Sequence, residues 1–315
     1  MQELAIFIGI SACLTGQKVR FDAGHKRSTF CMEQLNPHVQ YRSFCPEMAI
    51  GLPSPRPSIR QVKVADRIEV QQADGSGNLY SELHEYGNVV AAEQTDLSGF
   101  IFCAKSPSCG LERVTVYHQQ GQPADYDGVG VFAKSIMQNQ PNLPVEDSGR
   151  LHDLQLRENF VLRIFTYNKW LNLLSSGLTK HKLITFHSQH KYLLMSHEPV
   201  AYKAIGKLLG ESKLPLDELQ QTYISMLMSA LKKVASRKNH ANTLQHLQGY
   251  FQRDLDSSQK QELAEKIHDY RLGLLPLLVP IALINHYLRE FPNPYLASQI
   301  YLDPYPKELR LRIGL

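Results

Sequence analysis

The sequence predicts an α/β domain with a mainly parallel sheet and flanking helices, followed by an all-α domain. The apolar runs LAIFIGIS at 4–11 and SGFIFCAK at 98–105 are bounded by turn residues, as is typical of strands covered on both faces. VTVYHQQ at 114–120 is a further short strand candidate, and 88–97 is a helical candidate. Strands that alternate with helices indicate a parallel sheet with helices on its faces.

The connections in the first half are rich in Pro and Gly, and the pattern changes in the middle of the chain. We predict loops at 45–60 and 71–80 and a linker at 138–153, QNQPNLPVEDSGRLHD. Beyond the linker, apolar residues recur at helical spacing and no segment is typical of a strand. SSQKQELAEKIHDYRLGLL, which starts at Ser257, opens with a helix-capping signature of Ser before Gln or Glu. We therefore place the two domains at 1–145 and 154–315.

The chain of 315 residues is long enough for two domains that each bury a core. Its two strongest apolar runs, near the N-terminus and at 272–284, are too short to span a bilayer. We expect a cytoplasmic protein with no membrane partner, and leave its oligomeric state open. Five cysteines, an odd number, argue against a disulfide framework.

The charge is divided unevenly between the two halves. Residues 1–150 contain 13 Lys and Arg against 16 Asp and Glu, whereas residues 151–315 contain 21 against 14 and nine of the 13 histidines. A basic second half is compatible with a polyanionic partner. A solvated helical surface explains the same charges without any partner.

Two cysteines follow predicted strands that end at one edge of the sheet, and a third opens a loop that would bring it to the same edge. Cys13 follows the first strand directly, Cys109 follows the strand at 98–105 after a Ser-Pro-Ser turn, and Cys45 opens a loop held by prolines. The carboxyl ends of parallel strands form the edge where open α/β proteins bind ligands. The chain contains no CxxC pair, which disfavours a zinc ribbon or a thioredoxin-like redox pair.

Three converging thiolates would suit an iron–sulfur cluster with one open coordination position, since cubanes are usually held by four cysteines. The open iron would then act as a Lewis acid toward a substrate. Alternatively, the three are buried structural cysteines, which is common for free Cys. We interpret Cys103 as pointing into the strand core and Cys31 as part of a helix, both structural.

Four ordered motifs in the first half resemble the TudS family of thiouracil desulfidases. They are ISACLTGQKVRFDAGHKR at 10–27, FCPEMAIGLPSPRP at 44–57, AKSPSCG at 104–110 and DGVGVFA at 127–133. The resemblance covers about residues 4 to 145. It implies a [4Fe-4S] cluster held by Cys13, Cys45 and Cys109, with the substrate sulfur on the fourth iron.

The same resemblance implies that Glu47 and Ser106 are the acid/base and positioning groups. Replacing C=S by C=O is a net hydrolysis, so a water molecule needs a proton acceptor, and Glu47 lies two residues from a cluster cysteine. Alternatively, Glu47 is simply an acidic residue in the first turn of a helix that starts at Pro46. Ser108, in the same motif as Ser106, is a candidate for substrate binding.

The loop RFDAGHKR at 20–27 is the candidate for contacts with a nucleotide. Its Asp22, His25, Lys26 and Arg27 lie close to Cys13 in sequence, and cations there would hold a phosphate or ribose. Asp22 is a candidate for fixing the ring nitrogens or orienting water. An ordinary turn with solvated charges is the alternative.

The second half contains two clusters of basic residues with neighbouring aromatic residues. One cluster holds His187, His190 and Lys191, and the other holds Arg237, Lys238 and His240. Cations interleaved with aromatic residues suit RNA, where phosphates supply affinity and rings stack on unpaired bases. Alternatively, the histidines form hydrogen bonds between helices or, at the spacing of 187 and 190, bind a metal.

The second half also resembles a known family, through motifs such as FHSQHKYLLMSH, RKNHANTLQHLQGYF and YLDPYPKELRLR. These resemble the YbgA-type helical domain, over nearly all of 154–313. The fusion in this order is similar to the RudS family of desulfidases, which implies tRNA containing 4-thiouridine as the substrate and partner. The alternatives are a desulfidase of free thiouracil or thiouridine nucleotides whose helical domain serves oligomerisation, and a non-enzymatic cluster sensor.

Overall fold

The computed structural model describes residues 5–312, and the chain divides after Asp153 into two compact units. The first unit is α/β and the second is helical, which confirms the predicted fold class. The predicted boundaries at 1 and 315, and the predicted start of the first strand at Leu4, lie outside the described residues.

The first unit contains a four-stranded parallel sheet in the order β2-β1-β5-β8. Its strands are β1 (Phe7–Ser11), β2 (Gln40–Phe44), β5 (Leu97–Phe102) and β8 (Val145–Asp147). Every residue of β5 is buried, as are four of the five residues of β1. These are the two apolar runs that the sequence predicted to be covered on both faces.

A second four-stranded sheet in the order β4-β3-β6-β7 was missed in the sequence, apart from β6. It consists of β3 (Ile59–Val64), β4 (Arg67–Gln72), β6 (Val114–His118) and β7 (Pro123–Gly128). In this second sheet only the β3–β6 pair is parallel, so four of the six strand pairs of the unit are parallel, in agreement with the mainly parallel arrangement predicted. β3 includes the last two residues of the predicted loop at 45–60, and β4 includes the first two residues of the predicted loop at 71–80. These strands were not predicted because their many polar residues give no continuous apolar run.

The predicted linker at 138–153 is wrong in its first ten residues, because they hold structure that belongs to the first unit. α3 (Val131–Asn139) runs into it, and β8 completes the parallel sheet. Asp147 is buried and accepts hydrogen bonds from the amides of Gly149 and Arg150, at 2.8 and 2.9 Å. A strand of three residues with two buried acids carries no hydrophobic signal that sequence reading detects.

The remaining helices of the first unit are short or displaced from their predicted positions. α1 (Pro46–Ala49) is a single turn after β2. α2 (Tyr80–Glu93) starts before and ends before the predicted 88–97, since Leu97 already begins β5. Cys31 lies in a π-helical turn, Phe30–Leu35, and is fully buried.

The second unit contains helices and no strand among its described residues, 154–312, as predicted. The helices are α4 (Leu154–Ser175), α5 (Lys180–His197), α6 (Pro199–Glu211), α7 (Leu216–Lys232), α8 (Arg237–Gln248), α9 (Ser257–Leu272), α10 (Leu278–Glu290) and α11 (Pro294–Ala297). α9 is capped by Asp256, in a reciprocal capping box with Gln259, and not by the serine that the sequence suggested. Between residues 5 and 312, no helix combines the length and hydropathy needed to cross a membrane.

Candidate active site

Three strands of the parallel sheet end beside one cavity, and a cysteine follows each of them. β1 ends at Ser11, β2 at Phe44 and β5 at Phe102, and because the strands are parallel these ends share one edge of the sheet. The cavity at this edge has a volume of about 190 Å³. It is lined by the three cysteines of the predicted ligand set, Cys13, Cys45 and Cys109, and by Cys103.

Cys103 differs from its predicted position in the strand core. β5 ends one residue earlier, and the amide of Cys103 donates to Ser11 Oγ at 2.9 Å. Its thiol accepts a hydrogen bond from Cys13, and this bond is the largest cause that lowers the pKa of Cys103, to about 7. The same bond, with burial, raises the pKa of Cys13. The sequence did not place Cys103 after the strand, because the predicted strand SGFIFCAK at 98–105 includes it.

The other two thiols are held by burial in their neutral state. Burial is the largest cause that raises the pKa of Cys109, and neighbouring Cys103 raises it further. Burial likewise raises the pKa of Cys45. If these thiols were ionised together, their negative charges would repel one another, and a positively charged group among them would relieve that repulsion.

None of the five cysteines takes part in a disulfide. Among residues 5–312, no three or more His, Cys, Asp or Glu side chains are arranged to hold a single metal ion. An iron–sulfur cubane is a larger object, because each protein thiolate binds a different iron. The cavity thus gathers the donor type that such a cluster requires, and it shows no site for a lone ion.

Glu47, in the first turn of α1, faces the cavity with both carboxylate oxygens engaged. Oε1 accepts from Ser108 Oγ at 2.7 Å. Oε2 accepts from Arg56 Nε at 2.9 Å and from Arg56 Nη2. α1 starts at Pro46 with Glu47 in its first turn, as the alternative described, but the hydrogen bonds of the carboxylate go to Ser108 and Arg56.

Arg56 is the functional residue that the sequence analysis missed, although it lies within the motif FCPEMAIGLPSPRP. Its side chain is buried and also donates to the carbonyl oxygens of Pro53 and Val19, each at 2.9 Å. It thus ties Glu47 to two loops that line the cavity. A buried arginine is rarely stable without a carboxylate partner, and the Pro-rich loop around Arg56 was the available signal.

The two serines of the SPSC motif have different surroundings. Ser106 lines the cavity, and its Oγ accepts from the amides of Ser108 and Cys109, at 3.3 and 3.2 Å. This turn fixes the position of Cys109. Ser108 is fully buried and is absent from the cavity wall, so the structure gives no support to its predicted contact with substrate. Its hydroxyl acts on Glu47 instead.

Of the four residues predicted in the loop at 20–27, only Lys26 lines the cavity. Asp22 accepts from the amide of Gly24 at 3.0 Å, the largest cause that lowers its pKa. His25 Nδ1 accepts from the amide of Arg27, whose guanidinium pairs with Glu33 at 2.9 Å. Asp22, His25 and Arg27 are therefore part of the loop's own hydrogen bonding. Arg20, which the sequence analysis did not single out, lines the cavity together with Lys26.

In the second unit, two of the six predicted RNA contacts are buried between helices. His190 is 1% exposed, and its Nδ1 donates to the carbonyl of Phe186 at 2.7 Å. His240 is 9% exposed and lies 3.0 Å from the Tyr301 hydroxyl. Burial lowers the pKa of His190 to about 4 and that of His240 well below its usual value. These two rings have almost no surface with which to contact RNA. Neither bond joins two helices as the alternative expected, because Phe186 lies in α5 together with His190 and Tyr301 lies after α11.

The other four predicted residues are at least partly accessible. His187 is half-buried next to Tyr223, with a pKa lowered to about 4 by burial. Lys191 Nζ lies over the rings of Tyr192 and Tyr295, at 5.0 and 5.1 Å. Arg237 is half-buried and Lys238 is exposed, at the start of α8.

Comparison with known proteins assigns the two halves to different groups. A family model described as 2-thiouracil desulfurase matches residues 8–148, and one described as protein of unknown function DUF1722 matches residues 191–306. The uncharacterized protein YbgA of Escherichia coli (strain K12) is 32% identical over 157 residues, which cover 49% of this chain and 93% of YbgA. Among solved structures, a [4Fe-4S]-dependent thiouracil desulfidase, TudS, is 25% identical, with a TM-score of 0.39. That match covers 47% of this chain and 93% of the other.

Proposed function

This chain belongs to the family of YbgA through its second half and carries a 2-thiouracil desulfurase-type domain in its first half. From this premise we propose that it is a [4Fe-4S]-dependent desulfidase that converts 4-thiouridine in tRNA to uridine. The observation that carries the proposal is the single cavity at the sheet edge, which is lined by Cys13, Cys45, Cys109 and Glu47. The coarser activity, an enzyme acting on thiouracil, is supported by the family match.

The residues of the cavity fit an iron–sulfur cluster. Thiolates are the ligands of such clusters, and four free thiols line this cavity. Cys13, Cys45 and Cys109 would hold the cluster, and Cys103 is left outside the ligand set. When bound, the cluster supplies a thiophilic Lewis acid that polarises the C=S bond of the base and holds the departing sulfide.

Glu47 is the group that moves the proton. The net reaction is hydrolysis, in which C=S and water give C=O and hydrogen sulfide, with no change in oxidation state. Glu47 Oε1 accepts one hydrogen bond from Ser108 and retains a lone pair with which to take a proton from water. The same oxygen later returns the proton.

The chain supplies further groups that position Glu47 and the substrate. Arg56 and Ser108 each hold one carboxylate oxygen, which fixes the direction of the free lone pairs. Ser106 fixes the turn that carries Cys109. Arg20 and Lys26 place positive charge at the cavity, where the phosphate of a nucleotide would bind.

The proposal of RNA as the substrate is supported by the second half of the chain, with its excess of basic residues. Lys191, whose Nζ lies over the ring of the half-buried Tyr295, offers a cation beside an aromatic ring, and Lys238 is an exposed cation. His190 and His240 are not part of this proposed surface, because they are buried.

A desulfidase of free thiouracil is the second candidate, favoured by the wording of the matched family. The two are separated by the holoenzyme, reconstituted without oxygen and offered tRNA with 4-thiouridine, the thiouridine mononucleotide, and free thiouracil in parallel. Nucleoside mass analysis and sulfide release measure turnover of each. We expect the highest kcat/KM for tRNA, and a preference for the free base would overturn the tRNA assignment.

The role of the second half is tested by the salt dependence of tRNA affinity. Affinity for RNA falls as salt rises, and each phosphate contact that is lost makes the slope of log affinity against log salt shallower by about one. We expect the double variant Lys191→Gln, Lys238→Gln to bind tRNA more weakly, with a slope reduced by about two. Lys213→Gln removes a charge from an exposed residue outside the proposed surface and is the matched control. Equal slopes for all three proteins would contradict docking through these lysines.

A further inference from the structure

The helical unit contains a second cavity, of about 210 Å³, that plays no part in the proposed desulfidation. By the same measure a single water needs only about 10–15 Å³, so the cavity has room for a small polar ligand. Its wall includes Glu158 from α4, Arg237 and His240 from the start of α8, and Arg312 near the end of the described chain.

Arg312 forms part of this wall and has an unused hydrogen-bond donor. The residue is 8% exposed; its Nε donates to Glu158 Oε1 at 2.9 Å, and its Nη1 donates to the carbonyl of Tyr301 at 2.7 Å. Within residues 5–312, Nη2 has no acceptor, although it is buried. Buried charged donors are normally paired, because an unpaired one costs free energy. A guanidinium with one free nitrogen beside a cavity is therefore suited to an anionic ligand.

The N-terminus of α8 faces the same cavity and adds a second source of positive potential. α8 has twelve residues, and Ser236 and Arg237 at its start both line the cavity. The Ser236 side chain accepts from the amide of Asn239, which leaves earlier amides of the first turn for other acceptors. Helix N-termini bind phosphate through such amides and through the helix dipole. The Arg237 side chain donates to the carbonyl of Tyr270 at 3.3 Å, a bond that occupies only one of its nitrogens.

The charges of the cavity wall favour an anion. Glu158 is the one carboxylate among the described lining residues, and it already accepts from Arg312 and from the Tyr305 hydroxyl at 2.8 Å. The wall also contains two guanidinium groups, those of Arg237 and Arg312. The two histidines of the wall are neutral at pH 7: burial lowers the pKa of His197 to about 4, and that of His240 well below its usual value.

We propose that this cavity binds a phosphate group, held by Arg312 Nη2, the Arg237 guanidinium and the first amides of α8. A planar guanidinium and a helix N-terminus together match the several acceptor oxygens of a phosphate. The phosphate belongs either to RNA or to a free nucleotide. The site goes beyond the desulfidase function and does not depend on it, since inorganic phosphate alone probes it.

The test measures binding of inorganic phosphate to the full-length chain by titration calorimetry, at constant ionic strength set with chloride. Arg237→Gln should weaken phosphate binding about tenfold or more, because it removes a charged hydrogen bond. Arg253→Gln makes the same change at an exposed arginine outside the cavity and should bind like the parent. Arg312→Lys removes the free Nη2 and should also bind weakly. Should Arg312→Lys fail to fold, Arg237→Gln still decides the matter.

Two competitors distinguish the source of the phosphate. If an RNA oligonucleotide without thiolated bases displaces phosphate from the parent and loses affinity in Arg237→Gln, the site serves RNA. If a mononucleotide competes and the RNA does not, the site serves a free nucleotide. The proposal is overturned if phosphate gives no heat beyond the chloride control, or if Arg237→Gln and Arg253→Gln bind phosphate equally. Neither result bears on desulfidation, which is measured separately.

Discussion

The hydroxyl of Ser108 donates to Glu47 Oε1 at 2.7 Å, although 61 residues separate the two in sequence. Ser108 precedes Cys109 in the motif SPSC, and Glu47 lies in the motif that begins with Cys45. The bond therefore connects the proposed base to a proposed cluster ligand through one buried serine. Because Arg56 holds the other carboxylate oxygen, Glu47 is fixed from two sides and loses little freedom when substrate binds.

Glu47→Gln should abolish most desulfidation while the cluster remains. The amide keeps the size of the carboxylate and a carbonyl oxygen for Ser108, but it takes no proton from water. We expect kcat to fall by about 10²–10⁴, the usual contribution of a general base. Single-turnover sulfide release measures the rate, and iron content with visible absorbance measures the cluster. Normal turnover with a full cluster would contradict the role of Glu47 as the base.

Ser108→Ala tests whether the orientation of Glu47 matters to the reaction. The substitution removes one charge-assisted hydrogen bond, so we expect kcat to fall by about tenfold or more. KM should change little, because Ser108 is absent from the cavity wall. A raised KM with unchanged kcat would instead indicate a contact with substrate, which was the expectation from sequence.

The parts of the site that the sequence predicted follow from local patterns. Continuous apolar runs located β1 and β5, and the residues after them located Cys13 and Cys109. Contacts between segments that are distant in sequence leave no local pattern from which they could be predicted. Arg56 was missed because its importance lies in the carboxylate it meets after folding, and Ser108 was assigned to the substrate because its motif says nothing of burial.

The helical unit shows the same division between local and long-range information. Helical spacing predicted its class, but it did not separate surface histidines from buried ones. His190 is 1% exposed, and His240 meets Tyr301 across 61 residues. Basic residues next to aromatic residues occur both on surfaces that bind RNA and in the buried interior of helical domains. The sequence pattern alone does not distinguish the two.

Substitution of single cysteines should distinguish those that bind the cluster from those that do not. Cys109→Ala should lose the visible absorbance of the cluster and desulfidation together, because it removes a proposed iron ligand. Cys103→Ala should keep the cluster, since we place Cys103 outside the ligand set. Cys31→Ala is the matched control, because Cys31 is a buried cysteine outside any disulfide and does not line the cavity. Removal of iron by a chelator should abolish turnover in the parent.

Loss of the cluster in Cys103→Ala would contradict this assignment. A fourth protein thiolate would close the coordination of the cluster and leave no iron for the sulfur of the substrate. Iron content and absorbance of all three variants, measured after identical reconstitution, decide between the two arrangements.

Buried histidines should make the helical unit less stable in mild acid. Burial is the largest cause that lowers the pKa of His190 and of His197 to about 4, against about 6.5 when unfolded. Below pH 6.5 the unfolded chain binds protons that the folded chain does not. The free energy of unfolding therefore falls as the pH falls from 6.5 and stops falling near pH 4. Between pH 7 and pH 5 each histidine should cost about 2 kcal/mol.

Trp170, the single tryptophan, reports this unfolding because it packs against Phe186, at 5.6 Å between ring centroids, and Phe186 contacts His190. Urea denaturation followed by its fluorescence gives the free energy at each pH. His190→Gln lacks the titrating group, so its stability should depend less on pH, by about 2 kcal/mol over the same interval. His181→Gln, at an exposed histidine of the same helix, should retain the dependence of the parent. Equal pH dependence in the parent and His190→Gln would show that His190 has the same pKa in the folded and the unfolded chain.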